Sequence, residues 1–190
     1  MKRKVVYVSL AVLFVISFFL DNIVYELMKL IRIPIITNAM LWITNITTLF
    51  VILVLISVLF LWNEKKKEWI PVLLISLAFA WLLSFVLKYS FLRPRPEGII
   101  FEGDPSFPSM HSASAFAAIP ILNREFPKIK WFWILFALLV AFSRLYLGVH
   151  YLSDVIFGII LGLAVGDIFI YIEEKYGPIR KFFKLGKRKK

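Results

Sequence analysis

His150 and Asp154 stand four residues apart in SRLYLGVHYLSD, residues 143–154, between two strongly apolar segments. On a helix that spacing puts both side chains on one face. A carboxylate there can accept a hydrogen bond from one imidazole nitrogen and leave the other nitrogen's lone pair free to attack. The chain has one other histidine, His111, in FPSMHS at residues 107–112. Pro108 and Ser109 precede a periodic apolar run, which marks a helix start. A helix N-terminus offers unpaired backbone N–H groups to an anion, and an imidazole in its first turn can pass a proton to a departing oxygen.

The cations near these histidines say what binds. Lys88, Arg93 and Arg95 fall together in KYSFLRPRP, residues 88–96, and Arg144 lies in the 143–154 stretch. Lys88, Arg95 and Arg144 outweigh the carboxylate of Asp154, so the set describes an anion site, and guanidinium forks suit tetrahedral phosphate oxygens. His111, His150 and Asp154 also have the ligand types of a metal site, but three cations around them would repel the ion. The expected chemistry is phosphate chemistry with no metal and no cofactor.

The elements that must position these groups are membrane helices. The chain has 190 residues, of which 61% are hydrophobic, and mean hydropathy is +0.83. A soluble domain of this length could not hide that much apolar surface, so an all-α polytopic membrane bundle is expected. With no cysteine, thiolate chemistry and disulfides are excluded. Six spans are predicted: Val5–Leu20, Ala39–Trp62, Trp69–Leu87, a short Ser112–Leu122, Trp131–Leu147 and Tyr151–Ile172. The N-terminal stretch MKRKVVYVSLAVLFVISFFLDN lacks a small-x-small cleavage site, which favours a retained helix over a signal peptide. The segment DNIVYELMKLIRIP reads either as a helix along the outer interface or as a connecting loop.

Charge sets the predicted orientation. With the N-terminus inside, all but six of the 23 basic residues fall on inner segments, the exceptions being Lys29, Arg32, Lys88, Arg93, Arg95 and Arg144. Both termini are then cytoplasmic. The net charge of +11 belongs to this pattern and to a basic tail, residues 173–190, suited to anionic lipid; nucleic acid is not a predicted partner. Lys88, Arg95, His111, Arg144 and His150 meet on the outer side, and ionisable groups at that depth are functional candidates by default. Arg93 is assigned only a role in gathering anions. Continuing the His150–Asp154 face by fours reaches Gly158, Gly162 and Gly166, a small-residue ladder for a closely packed helix. Packing inside the bundle is the favoured use, and a homo-oligomer is the other. Asp167, near the inner interface, reads as structural.

Taken together the three stretches resemble the signature of the type-2 phosphatidic acid phosphatase superfamily, membrane relatives of vanadium haloperoxidases. Lys88 followed by Arg95 and Pro96 matches its first part. Pro108, Ser109 and His111 match its second, and Ser143, Arg144, His150 and Asp154 its third. The signature region runs from about 69 to 172 within one integral-membrane domain, 1–190, with a haloperoxidase-like core. The resemblance implies that His150 is the nucleophile, forming a phosphohistidine, with Asp154 orienting it and His111 as general acid. It implies a phosphate clamp of Lys88, Arg95 and Arg144, assisted by Ser109 and the Met110 backbone, with Ser143 in binding support. Met110 stands where the family has Gly, which bears on pocket shape and raises the question of backbone strain.

The reading is a metal-independent lipid phosphatase, multi-pass in the cell membrane, with its site facing the extracytoplasmic side. Its substrate is expected to be a lipid phosphate in the bilayer: polyprenyl pyrophosphate, phosphatidic acid or phosphatidylglycerol phosphate, the first being favoured. A phosphotransferase using the same intermediate and a non-enzymatic lipid-anion binder or transporter are the alternatives.

Overall fold

The computed structural model describes residues 2–100 and 103–177, and the described chain contains no strand. Most of the basic tail, from residue 178 on, lies outside the described residues. Helix α1 runs Lys2–Leu30, α2 Pro34–Thr44, α3 Ile46–Phe50 and, after a π-helical stretch at Val51–Ile56, α4 Ser57–Asn63. Then follow α5 Ile70–Phe91, α6 Met110–Glu125, α7 Lys130–Tyr146 and α8 Leu152–Tyr176. Five helical stretches are long and apolar enough to cross a membrane: Arg3–Leu30, Ile46–Asn63, Lys67–Phe91, Pro127–Tyr146 and Leu152–Tyr176. The outward faces of the bundle expose large apolar side chains such as Phe19, Ile35 and Trp131, which only a hydrocarbon solvent tolerates at this density.

Two predicted boundaries are corrected. The first span does not stop at Leu20: α1 continues unbroken through Asp21 to Leu30, absorbing most of DNIVYELMKLIRIP. Asp21 does not mark the water boundary because it is buried with partners of its own. The second span is not one helix from Ala39 to Trp62. Asn45 ends α2 and caps α3, its side chain accepting from Thr47 N at 2.8 Å. An Asn side chain competes with the helical ladder in this way and favours a helix start.

Helix α6 is the hub, although its 16 residues reach only about 24 Å, less than a hydrocarbon core of about 30 Å. It packs against α8, α7 and α5, while α1 lies on α8 and α2 on α7. Its residues from Ala115 to Leu122 are all buried. The Gly ladder serves this inner packing. A Cβ on Gly158 would come to 2.6 Å from Ser109 O, and one on Gly166 to 2.5 Å from Ala117 O. One on Gly162 would collide with Ala113 O. The bare glycines therefore let α8 rest on the α6 backbone.

The two ends of the bundle differ. At one end, Arg3 pairs with Asp167 at 2.8 Å, Tyr7 donates to Asp167 at 2.9 Å, and Arg124 pairs with Glu174. Asp167 thus ties the start of α1 to α8. The other end holds the C-terminus of α5, the N-termini of α6 and α8, and the described loop residues 92–100 and 103–109.

Candidate active site

Local sequence explains how each group reaches this second end. Lys88 sits in the last turn of α5, which closes with Leu92 in the left-handed conformation. Arg95 follows in an irregular segment rich in proline, and Pro96 behind it is buried. Pro108 and Ser109 lead into α6, with Ser109 as N-cap: its side chain accepts from Ser112 N at 3.4 Å. Arg144 is in the last turn of α7. Between Arg144 and His150 the chain turns at Gly148, φ 71°, where a side chain would be strained and would strike the Arg32 guanidinium. His150 itself precedes α8 instead of lying on it; Tyr151 is the N-cap, and its backbone N donates to Asp154 Oδ2 at 2.9 Å.

These elements gather the candidate residues at this end of the bundle. Lys88 Nζ and Arg95 Nη2 each lie 2.8 Å from the carboxylate of Asp104. Arg95 Nη1 is 3.0 Å from His150 Nε2 and donates to Val149 O at 2.7 Å. His150 Nδ1 faces Asp154 Oδ2 at 3.5 Å. Arg144 donates to Thr44 Oγ1 at 2.6 Å, and its charge reaches both histidines. His111, in the first turn of α6, also senses His150, Arg95 and Lys88. Lys88, Arg144, His150, Asp154 and Ser109 are all buried.

The electrostatics favour a neutral imidazole at His150. Burial, reinforced by Arg144, Arg95 and Lys88, holds its pKa well below the ordinary 6.5. A neutral imidazole has a lone pair to donate. Burial works to raise Asp104, yet Lys88 and Arg95 outweigh it and draw the carboxyl down to about 2. Asp104 is thus an anion held between Lys88 and Arg95, two cations that suit phosphate oxygens as well.

Two openings flank the site. A cavity of about 700 Å³ is lined by Arg93, Arg95, Gly98, Asp104 and Val149 among others. A separate apolar groove of about 260 Å³ is lined by Leu49, Leu53, Leu77, Trp81, Met110 and His111 among others. Among the described residues, positive φ at a non-glycine occurs only at Lys65 and Leu92, so Met110 is an unstrained first residue of α6 and a wall of this groove.

Two assignments change. Arg93 does not face the clamp; it bonds Asp154 Oδ1 at 2.7 Å through Nη1 and Asp21 Oδ2 at 2.7 Å through Nη2. Ser143 turns its hydroxyl back to Val140 O at 2.7 Å, within its own helix. Sequence reasoning missed Asp21, Thr44, Asp104 and Ser153. Charge within or beside an apolar span was the available signal for Asp21; Thr44 and Ser153 carry none.

The chain matches the PAP2 superfamily over residues 69–177. It is 32% identical over 170 residues to an undecaprenyl-diphosphatase of Sulfolobus acidocaldarius, covering 82% of this chain and 81% of that one. It is 26% identical over 149 residues to the undecaprenyl-diphosphatase BcrC of Bacillus subtilis, covering 74% and 77%. A crystal structure of a transmembrane PAP2-type phosphatidylglycerolphosphate phosphatase from Bacillus subtilis superposes with a TM-score of 0.73 at 28% identity, covering 90% of this chain and 96% of that one. Family, fold and the phosphatase names of its relatives agree: this chain belongs to the PAP2 superfamily and is a membrane lipid phosphatase.

Proposed function

We propose that the protein hydrolyses a polyprenyl pyrophosphate at the extracytoplasmic face through a phosphohistidine on His150. The observation that carries the reading is the placement of His150, with Nε2 turned to the clamp at Arg95 and Nδ1 turned to Asp154. A terminal phosphate enters the clamp in place of the Asp104 carboxylate. Nε2 attacks phosphorus, a P–N bond forms, and the P–O bond to the lipid phosphate breaks as His111 protonates the leaving oxygen. Water, giving up a proton to His111, then cleaves the P–N bond, which releases phosphate and restores both histidines. Lys88, Arg95 and Arg144 offset the charge that builds on the transferring group, so the reaction is metal-independent. Ser109 and the Met110 backbone N–H complete the cradle.

Several features support the substrate and the side. His111 is among the residues that line the apolar groove, so a hydrocarbon chain lying there would bring its headgroup near the acid. Both diphosphatases named above act on a polyprenyl diphosphate by name. Phosphatidylglycerol phosphate is the second candidate, supported by the structural neighbour. Basic residues crowd the other end of the bundle, at Arg3, Lys65, Lys66, Lys67, Arg124 and Lys130, which favours that end as cytoplasmic, with α6 as a sixth, short crossing of a single domain. The test is inorganic phosphate release by purified protein from polyprenyl pyrophosphate, phosphatidylglycerol phosphate and phosphatidic acid, with and without an acceptor alcohol. Fastest release from the pyrophosphate is expected. Transfer to the alcohol in place of release would make the protein a phosphotransferase; binding without release would make it a lipid-anion carrier.

A further inference from the structure

The signature residues account for His150 and Asp154 but not for what fixes Asp154. Its two oxygens are divided: Oδ2 accepts from Tyr151 N and faces His150, and Oδ1 accepts from Arg93 Nη1 at 2.7 Å. Arg93 is held in turn by Asp21 of α1, through Nη2 at 2.7 Å. Asp21 also takes Ser153 N at 2.8 Å and Ser153 Oγ at 2.7 Å, and Arg93 Nη1 lies 2.6 Å from the same hydroxyl. The Tyr151 ring covers the guanidinium, 4.4 Å from its carbon. Asp21 is buried beside an apolar helix, where an unpaired carboxylate would be costly. It lies outside residues 69–177, the region matched to the superfamily.

We infer that Asp21 and Arg93 form a positioning pair that aims Asp154 at His150, so that α1 takes part in catalysis. The inference rests on the proposed role of His150 as nucleophile. Arg93 acts as a bridge that needs both of its terminal nitrogens: one fixes the Asp154 carboxylate plane, the other anchors to α1. Lysine has one nitrogen and cannot span the two carboxylates in this geometry. Without the bridge Asp154 keeps its bonds from Tyr151 N and Ser106 but loses the one that fixes Oδ1, and Oδ2 is freer to swing away from His150 Nδ1, 3.5 Å off. Partners that orient metal-ligating residues are worth about 10–100-fold in affinity or activity, and a comparable loss is expected here.

The test compares Asp21→Asn, Arg93→Lys, Arg93→Met and the Asp21→Asn/Arg93→Met double variant with the wild type, measuring kcat, KM and thermal melting on the best lipid substrate. Expected is a kcat about tenfold lower for Asp21→Asn and about a hundredfold lower for Arg93→Met, with KM within about twofold. Arg93→Lys is expected to fall with Arg93→Met, and the double variant to be no slower than Arg93→Met alone, because Asp21 acts through Arg93. Unchanged kcat with a lowered melting temperature in Asp21→Asn and Arg93→Met would reduce the pair to a staple for α1 and overturn the inference. Losses that multiply in the double variant would overturn it too, by showing that Asp21 acts through Ser153. Should Asp21→Asn fail to fold, the kcat of Arg93→Lys decides. His150→Ala, run alongside, separates the two proposals. If it is inactive while the pair variants turn over normally, only the positioning inference fails; if it stays active, the nucleophile assignment fails.

Discussion

Asp104→Asn tests the clamp without touching either histidine. The Asp104 carboxylate bridges Lys88 and Arg95 at 2.8 Å each, so a phosphate bound by these two cations, as proposed, would have to displace it. A carboxyl drawn from 3.8 to about 2 gains about 2 kcal/mol from its charged neighbours. Its side chain is 34% exposed, and solvent screening reduces that to about 1 kcal/mol. Asn keeps a carbonyl acceptor but removes the charge, so the clamp loses its internal competitor. Vanadate, a phosphate mimic, should then inhibit about fivefold more strongly at neutral pH. The assay is vanadate inhibition of phosphate release, with melting temperature as a folding control. Because the folded carboxyl titrates near 2, the ion pairs persist above its unfolded value of about 3.8 and are lost only as pH falls toward 2. The difference between wild type and variant should therefore hold from pH 7 down to 5. Unchanged or weaker vanadate inhibition in a folded Asp104→Asn protein would refute the competition.

Further outcomes follow from the same geometry. Gly162→Ala forces a Cβ against Ala113 O, so stability in detergent should fall by about 1–3 kcal/mol, whereas Ala at Leu138, exposed on α7, should change little. His150 is held neutral with its pKa below 6.5. Lowering the pH below 6.5 should therefore progressively destabilise the fold, since the unfolded chain takes up a proton that the folded one resists; a melting temperature flat to pH 5 would contradict this. Met110→Gly should enlarge the groove beside His111 and lower KM for bulkier lipids, read from a panel of chain types. Chelator should leave phosphate release intact, and a substantial loss would reinstate a metal at the histidines.

How far the sequence revealed all this depends on the kind of signal. Lys88, Arg95, His111, Arg144 and His150 could be singled out in the sequence because ionisable groups at the ends of apolar runs have few uses. The Gly158–Gly162–Gly166 ladder was legible because helical periodicity alone puts the three on one face. Asp21 misled as a span boundary because hydropathy treats any carboxylate as an end, although a buried one can be satisfied by Ser153 and Arg93. Arg93 was misread for a related reason: its partners lie 61 and 72 residues away in the chain, and no local pattern encodes such a pairing. Asn45 broke a long apolar stretch because a cap is decided by one side chain and leaves the average hydropathy unchanged. Asp104 occupies the clamp through a loop whose path no periodicity describes.

The central claim is that His150 receives the phosphoryl group. Its most direct test is to mix the purified protein with a radiolabelled lipid pyrophosphate, quench in alkali where phosphohistidine survives, and map the label by peptide mass spectrometry. The account expects one labelled site, His150, formed and discharged at least as fast as phosphate is released, and absent from His150→Ala. Label on another residue, or full turnover by His150→Ala, would contradict it.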